Sequence, residues 1–396
     1  MSREEPQIRV GDCGTYVRLW EWSLRGTNQD IGRALGHWGQ EELGTGPLPT
    51  GDECRIRAQR SFFRKHFRPF YDRMAGVAIA SGLEIDEPTH DLATLWFDVG
   101  MPGCSSAFVP SRGMRNGHPY VLRNMDLGVD LREEVEHPAS SRIMLTSMEP
   151  DEGYASLSVV VFDLMGAMDG VNEKGLVVVC NSHGDYRLDG EFRPAPAYMC
   201  EAVEHPEAGL NEMQVVRYLL DMCADVDEAR EALLSLRTYY CFTPCLYMIA
   251  DVRGRSFVCE KSPSGNRIEF TEREGEPLVM TNFGRTRFAS VNEMPQGDGL
   301  EQGFIYTRYR TVARGIESQE PLEPFHLRAV ARDASFDTLC GPEAGDDMHP
   351  SRTIYTTLYD LDARSLTISC YLGESDNGTV HSEPVSFHLE TASQGA

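Results

Sequence analysis

The chain has 396 residues and is long enough to bury a substantial core as one large or two moderate domains. Its formal net charge of −24 argues against nucleic acid or an anionic membrane surface as a partner. No apolar run approaches the length that crosses a bilayer, and the first residues lack the apolar core of a signal peptide. The 11 cysteines lack zinc-ligand spacing, so we expect reduced thiols in a cytoplasmic protein without a metal site.

The first 103 residues are predicted to be mainly helical. Residues 16–20 have the apolar pattern of a strand, and Thr27 or Asn28 is placed to cap the helix that follows. Large apolar side chains recur at helical spacing over residues 54–80, with an interruption at Pro69. A third, short helix is predicted over residues 90–98.

From residue 104 onward, blocks of strands alternate with pairs of helices. This order favours an α+β domain in which helices pack outside the sheets. The predicted helices cover residues 212–223, 226–236, 304–316 and 325–331. The predicted strands cover residues 104–109, 120–122, 143–147, 155–164, 176–181, 246–251, 256–260, 267–270, 278–282, 353–360, 365–371 and 385–389.

Gly103 and Cys104 mark the boundary between these two parts. A proline and Gly103 interrupt regular structure, and the residues after Cys104 can form a strand. The Asn-Gly pair at 116–117 lies between two apolar runs and predicts a hairpin that brings Arg123 and Asp126 back towards the cysteine. A buried structural thiol beside a surface ion pair is the commoner arrangement of such residues.

Several motifs together resemble the choloylglycine hydrolase family, which includes bile-salt hydrolases and penicillin V acylases. They are VLRNMDL at 121–127, DGVNEKGLVVVCN at 169–181, LYMIADVRGRSFVCEK at 246–261 and VMTNF at 279–283. The leading segment, with RGTNQDIGRALG at 25–36 and FYDRMAGVAIASGL at 70–83, is similar to the proenzyme segment of the acyl-coenzyme A:6-aminopenicillanic acid acyltransferases. The resemblance spans roughly residues 16–390.

The resemblance implies the four-layer αββα N-terminal-nucleophile hydrolase fold, with two stacked antiparallel sheets. It also implies that the chain is cleaved between Gly103 and Cys104. We therefore expect a leader segment, residues 1–103, that is retained as a small chain, and a catalytic domain, residues 104–396. The implied activity is hydrolysis of a linear amide C–N bond.

The resemblance implies a role for each residue near the cut. After cleavage Cys104 carries a thiol, the nucleophile, and a free α-amine, whose ordinary pKa near 7.7–8.0 suits a base at neutral pH. Asp126 would hold the α-ammonium, and Arg123 would favour the thiolate. Acyltransferases of the family carry glutamine where Arg123 stands, whereas bile-salt hydrolases carry arginine, so the substrate is left open.

Three further residues are matched by motif. Asn282 and Asn181 correspond to the family asparagines that donate hydrogen bonds to the oxyanion. Arg308 corresponds to an arginine near the nucleophile, although Arg310 or Arg314 also fits that position. An asparagine at a strand end is otherwise typical of a turn, and a helix arginine is often simply solvated.

Three readings of function remain open. The first is a self-processing amidohydrolase acting on a small N-acyl amide through a Cys104 thioester. The second is an acyltransferase, with acyl-coenzyme A left open as a co-substrate, and the third is an uncut binding protein. A Cys–His pair with His118 or His183 has no support from flanking sequence. No cofactor is expected, because the chain lacks a phosphate loop, and a homo-oligomer is left open.

Overall fold

The computed structural model describes residues 5–97, 103–130, 139–183, 185–188, 191–194, 208–241, 243–261, 268–288, 290–296, 298, 304–318, 321–340, 345–346 and 349–389. The helices are α1 (Asn28–Glu42), α2 (Glu53–His66), α3 (Arg68–Ala80), α4 (Glu212–Met222), α5 (Val226–Ser235), α6 (Ile305–Glu317), α7 (Pro324–Asp333) and α8 (Phe336–Cys340). Thr27 caps α1 and Asp225 caps α5, because each side chain accepts a hydrogen bond from a backbone N–H of the first turn.

The strands are β1 (Gln7–Val10), β2 (Arg18–Gly26), β3 (Leu48–Pro49), β4 (His90–Asp91), β5 (Gly103–Val109), β6 (Tyr120–Gly128), β7 (Arg142–Pro150), β8 (Ser156–Val160), β9 (Asp169–Asn172), β10 (Val177–Ser182), β11 (Asp185–Leu188), β12 (Glu191–Pro194), β13 (Cys245–Ala250), β14 (Arg255–Lys261), β15 (Ile268–Glu274), β16 (Leu278–Met280), β17 (Gly345–Asp346), β18 (His349–Asp360), β19 (Ser365–Ser375), β20 (Gly378–His381) and β21 (Val385–His388). Most strands belong to two large sheets, while β3 with β4 and β11 with β12 form two separate two-stranded sheets.

The first sheet has nine strands in the order β1-β2-β7-β8-β9-β10-β13-β14-β15. The second has eight strands, with the path β16-β5-β6-β18-β19-β20, and with β17 and β21 pairing beside β18 and β19. The prediction of antiparallel sheets is correct for every neighbouring pair in these two paths except β2 and β7, which run parallel. This pair joins the leader segment to the rest of the chain.

Three apolar clusters separate the layers. One lies between the two sheets, with side chains from β5, β6, β9, β10 and β18. A second covers the outer face of the nine-stranded sheet beneath α1, α3, α4 and α5, and a third lies between the eight-stranded sheet and helices α6 and α7. The layers therefore follow the predicted αββα order of the N-terminal-nucleophile hydrolase fold.

The leader segment contains the strand predicted over residues 16–20, which overlaps β2, and it also contains β1, which was not predicted; both belong to the nine-stranded sheet. The helix predicted over residues 90–98 is wrong for the residues described there, and residue 98 lies outside them. This stretch is extended because its backbone bonds to a distant loop, with Phe97 N donating to Phe162 O at 2.7 Å and Leu164 N to Leu95 O at 3.1 Å. The division into a retained leader and a catalytic domain stays a prediction.

Candidate active site

The thiol of Cys104 lies between the two sheets. Cys104 follows Gly103 at the start of β5 and is completely buried. The predicted hairpin is confirmed, since β5 pairs with β6 and Ser106 lies opposite Arg123. Alternate residues of a strand share one face, so Cys104, Ser106 and Arg123 point into the same interlayer space. Arg123 Nη2 stands 3.3 Å from Cys104 Sγ.

The guanidinium of Arg123 is held from both sheets. Its Nη2 donates to Cys180 O at 2.9 Å, and its Nη1 donates to the Asp169 carboxylate and the Tyr355 hydroxyl. Tyr355 also donates to Asp169 at 2.8 Å, and Tyr359 donates to the other carboxylate oxygen. A buried charge needs such partners, and here they fix the direction of Arg123.

Sequence reasoning did not assign a role to Asp169, Tyr355 or Tyr359. Asp169 is the first residue of the DGVNEKGL motif, so its position in the motif was the available signal. The two tyrosines lie four residues apart on β18 and hence on one face of the strand. No motif marks them.

The backbone nitrogen of Cys104 contacts Asn282. It donates to Asn282 Oδ1 at 2.9 Å, and Arg308 Nη2 donates to the same oxygen at 2.7 Å. Because two donors face this end of the amide, it must be the oxygen. The Asn282 Nδ2 group therefore faces the other way and donates to Ser182 O at 2.7 Å and to Ser182 Oγ at 3.0 Å. The amide hydrogens of Asn282, a predicted oxyanion donor, are therefore bonded to Ser182 in this structure.

Arg308 joins Asp126 to Cys104. Its Nη1 donates to the backbone oxygen of Cys104, and it lies 3.3 Å from Asp126 Oδ2. Thr353 Oγ1 donates to the other oxygen of Asp126 at 2.5 Å. Asp126 lies across the strand pair from Gly103, so its carboxylate is beside the predicted cleavage site.

Of the three arginines that the sequence offered on α6, Arg308 is the one that reaches this site. Arg310 Nη2 donates to Met294 O at 2.8 Å, and Arg314 is exposed on the last turn of the helix. The helical repeat explains the difference, since residues two and six positions further along α6 point away from Arg308.

Asn181 contacts Ser106, which lies two residues after Cys104. It ends strand β10, and its Oδ1 accepts from Ser106 Oγ at 3.0 Å. Its Nδ2 lies 3.4 Å from the backbone oxygens of Met280 and Thr281. These contacts bring Asn181 to the neighbour of Cys104 on the same face of β5, and its role at an oxyanion stays a prediction.

Burial dominates the electrostatics of the uncut site. Burial raises the pKa of the Cys104 thiol above its ordinary value, although the positive charges of Arg123 and Arg308 oppose the shift. Burial also raises the pKa of Asp126 to about 6, against the lowering effect of Arg308. In the uncut chain Cys104 is therefore a protonated thiol at neutral pH.

Neither candidate histidine forms a pair with the thiol in the described contacts. His118 lies at the far end of the β5–β6 hairpin, beyond the Val109–Tyr120 pair, and bonds to Asp360. Val109 lies five residues after Cys104 along β5, about 17 Å away at the usual rise per residue. His183 is buried, and burial lowers its pKa to about 3, so its imidazole is neutral at physiological pH.

In the part of the chain that the structure describes, no three His, Cys, Asp or Glu side chains cluster in a way that could hold a metal ion. In those same ranges no helix has the length and apolar character needed to span a membrane.

Sequence comparison places the chain in a family. The family profile of acyl-coenzyme A:6-aminopenicillanic acid acyl-transferase matches residues 114–377. The chain belongs to this family. The match includes Arg123, Asp126, Asn181, Asn282 and Arg308 and begins after Cys104. The resemblance seen in the sequence is thus confirmed, and so is the expectation of an enzyme family. A search of curated proteins found no match.

Three solved structures are remotely similar. A mutant of conjugated bile acid hydrolase from Clostridium perfringens has 16% identity and a TM-score of 0.49, over 72% of this chain and 92% of that one. Penicillin V acylase from Agrobacterium tumefaciens has 18% identity and a TM-score of 0.41, over 70% and 84%. A Caenorhabditis elegans ortholog of N-acylethanolamine-hydrolyzing acid amidase has 14% identity and a TM-score of 0.42, over 65% and 93%.

Proposed function

We propose that this protein is a self-processing cysteine amidohydrolase whose nucleophile is Cys104. One observation carries the proposal. The Cys104 thiol lies 3.3 Å from a fixed guanidinium, and the nitrogen of the same residue lies 2.9 Å from Asn282 Oδ1. Nucleophile and prospective base are thus both held in place on a single residue. This is the arrangement that an N-terminal nucleophile needs once its amine is freed.

Self-processing would come first. The Cys104 sulfur attacks the carbonyl carbon of Gly103, the C–N bond breaks, and the nitrogen takes up a proton to become the α-amine. Water then adds to the resulting thioester, the C–S bond breaks, and Gly103 leaves as a carboxylate. The free amine has an ordinary pKa near 7.7–8.0, so it can accept the thiol proton at neutral pH.

Turnover would repeat the same chemistry on an amide substrate. The Cys104 thiolate, favoured by Arg123, attacks the amide carbonyl, and the amine product leaves with a proton from the α-ammonium. Water, deprotonated by the α-amine, then hydrolyses the acyl thioester. Asn282 and Asn181 are the proposed donors to the oxyanion. Freeing the Asn282 amide for that task requires a change in its contacts with Ser182.

The leader would remain bound after the cut. Strand β2 pairs with β7 along nine residues. Arg73 of α3 donates to Asp221 of α4 at 2.6 Å, and both side chains are almost completely buried. Separating the segments would expose this ion pair and the apolar face of α3, which is costly.

An acyltransferase is the second candidate. The profile that matches the chain is described as that of an acyl-transferase, and the chemistry differs only in the last step, in which an amine instead of water takes the acyl group. Arg123 favours the hydrolase, because the sequence resemblance associates arginine at this position with bile-salt hydrolases. Acyl-coenzyme A enters only as a co-substrate of this second candidate.

Two measurements test the proposal. Intact mass of freshly purified protein should give two chains, residues 1–103 and 104–396, while Cys104→Ala should remain one chain. The cleaved protein should then release amine from at least one member of a panel of N-acyl amino acids, bile-salt conjugates and penicillins. Adding an acceptor amine and measuring the new amide separates transfer from hydrolysis. A fully active, uncut wild-type chain would rule out the proposed mechanism.

A further inference from the structure

We infer that Gly103 occupies the position of the α-carbon of the substrate's acyl group, and that Phe336 makes the enzyme select acyl groups unbranched at that carbon. The inference rests on the proposed function, because it treats the leader as the first acyl group that Cys104 carries. It adds a specificity-determining residue and a substrate class to that function.

The space beside Gly103 is closed on the side where a Cβ would lie. A Cβ placed there would stand 3.0 Å from Phe336 Cζ and 3.3 Å from Asp126 Cβ. Both distances are shorter than ordinary van der Waals contact between carbon atoms. Gly103 also lies in a β-strand and is not among the positive-φ glycines. The glycine is therefore required by the lack of space and not by its backbone conformation.

Neither neighbour can easily move aside. Asp126 is held in strand β6 opposite Gly103, and its carboxylate is bonded to Thr353 and Arg308. Phe336 is buried, and its backbone nitrogen donates to Thr353 Oγ1 at 3.0 Å. The guanidinium of Arg308 lies over the Phe336 ring, 5.0 Å from its centroid. The ring is thus packed between the scissile residue and a site arginine.

Chemistry connects this position to the substrate. Self-processing and turnover both pass through a thioester on Cys104 Sγ. In the first, the acyl group is the leader ending in Gly103, with a CH2 group next to the carbonyl. In the second, the acyl group comes from the substrate. The two intermediates are thioesters on the same sulfur. The α-carbon of each acyl group therefore lies against the Phe336 ring, which we call the wall of the acyl site.

The substrate class follows from this wall. Acyl groups with a CH2 at the α-carbon fit as glycine does. An acyl group with a methyl in the place of an L-Cβ meets Phe336, and this includes aminoacyl groups of L-amino acids other than glycine. The enzyme should therefore discriminate against peptide bonds after such residues, which protects the rest of its own chain.

The decisive experiment measures self-cleavage in a time course of cell-free translation, followed on a gel. Gly103→Ala should slow the cut by about 10- to 200-fold, as expected for one extra methyl group in a packed pocket. Leucine lacks both of the ring atoms that lie nearest to a Cβ at residue 103, so Phe336→Leu should reduce the Gly103→Ala penalty by at least about ten-fold. Phe325→Leu makes the same exchange at an exposed phenylalanine and serves as the matched control without rescue.

A second readout uses the mature enzyme with wild-type Gly103. The probes are the p-nitroanilides of hexanoic acid and of each enantiomer of 2-methylhexanoic acid. We expect a loss of kcat/KM of about 10- to 200-fold for the enantiomer whose methyl takes the L-Cβ place, and relief of that loss in Phe336→Leu.

The outcomes separate this inference from the proposed function. A wild-type chain that stays uncut overturns both. A wild type that cuts while Gly103→Ala cuts equally fast overturns the inference alone. A penalty of equal size with Phe336 and with leucine at that position also overturns it, because the wall would then be another group. A Phe336→Leu chain that does not fold leaves the Gly103→Ala rate and the anilide pair of the wild type to decide.

Discussion

Arg123 and Asp169 form an ion pair that bridges the two sheets at the base of the candidate site, and both side chains are completely inaccessible to solvent. Arg123 comes from β6 of one sheet, and Asp169 begins β9 of the other. The arginine thus faces a thiol on one side and its counter-ion on the other. The electrostatic potential at the Cys104 sulfur therefore depends on both residues.

The first prediction concerns Asp169→Asn. Asparagine keeps an oxygen that accepts from Arg123 but removes the negative charge, so Arg123 should stabilise the Cys104 thiolate more strongly. We expect the thiol pKa of the cleaved enzyme to fall by about one unit. The measurement is the pH dependence of iodoacetamide alkylation at the N-terminal peptide that begins with Cys104, read by mass spectrometry.

Tyr359→Phe is the matched control for that change, because Tyr359 contacts the other oxygen of Asp169. Its effect on the thiol pKa should be much smaller. The groups that face the thiol also include Asp126, Arg308, Tyr355 and Cys245, and none of them is altered by either variant. A thiol pKa that rises or stays constant in Asp169→Asn would contradict the prediction.

The second prediction concerns Asn282→Ala. Removing one oxyanion donor typically lowers turnover by about 100- to 1,000-fold, so kcat should fall by that order on protein shown by mass to be cleaved. Asn124→Ala is the control, because Asn124 is equally buried but bonds to Ala331 and Thr356 instead of Cys104. An Asn282→Ala enzyme within a few-fold of wild type would remove Asn282 from the catalytic site.

The third prediction identifies the base. If the α-amine of Cys104 accepts the proton, kcat/KM should decline as pH falls through the amine pKa, near 7.7–8.0 if unperturbed. Burial keeps the pKa of His183 near 3, so this histidine does not titrate in that range. The double variant His118→Gln, His183→Gln should keep both the activity and the shape of the profile. If the decline of kcat/KM at low pH disappears in a cleaved, folded double variant, the base is a histidine.

The fourth prediction concerns Asp163, a buried carboxyl that accepts from Leu95 N at 2.8 Å and from Met165 N at 3.0 Å. Burial raises its pKa to about 7. An unfolded Asp has a pKa near 3.9, so the folded state binds the proton more tightly. The resulting stabilisation is complete below about pH 4 and is lost as pH rises to about 7.

Asp163→Asn keeps the accepting oxygen and removes this dependence. We expect the variant to gain a few kcal/mol in unfolding free energy relative to wild type between pH 4 and pH 8, at about 1.4 kcal/mol for each unit of pKa shift. Urea titrations of both proteins at the two pH values measure it. An equal difference between the proteins at both pH values would show that Asp163 does not titrate in this range.

Local pattern was enough to predict much of the secondary structure. The β5–β6 hairpin followed from an Asn-Gly pair between apolar runs, and the cap at Thr27 followed from a side chain that can accept a backbone hydrogen bond. The helix predicted over residues 90–98 is wrong, because long-range hydrogen bonds to the loop around Asp163 hold the described part of that stretch in an extended conformation. Local sequence carries no signal of such bonds.

The sequence by itself determined the family, the layered α+β fold and part of the surroundings of Cys104, namely Arg123, Asp126 and Asn282, because these depend on motif order and on apolar periodicity. Only the tertiary structure decided that Arg308, and not Arg310 or Arg314, reaches Cys104. It also supplied Asp169 as the partner of Arg123 and Phe336 as the wall beside Gly103. These contacts join residues far apart in the chain, and their distances are fixed by how the sheets and helices pack.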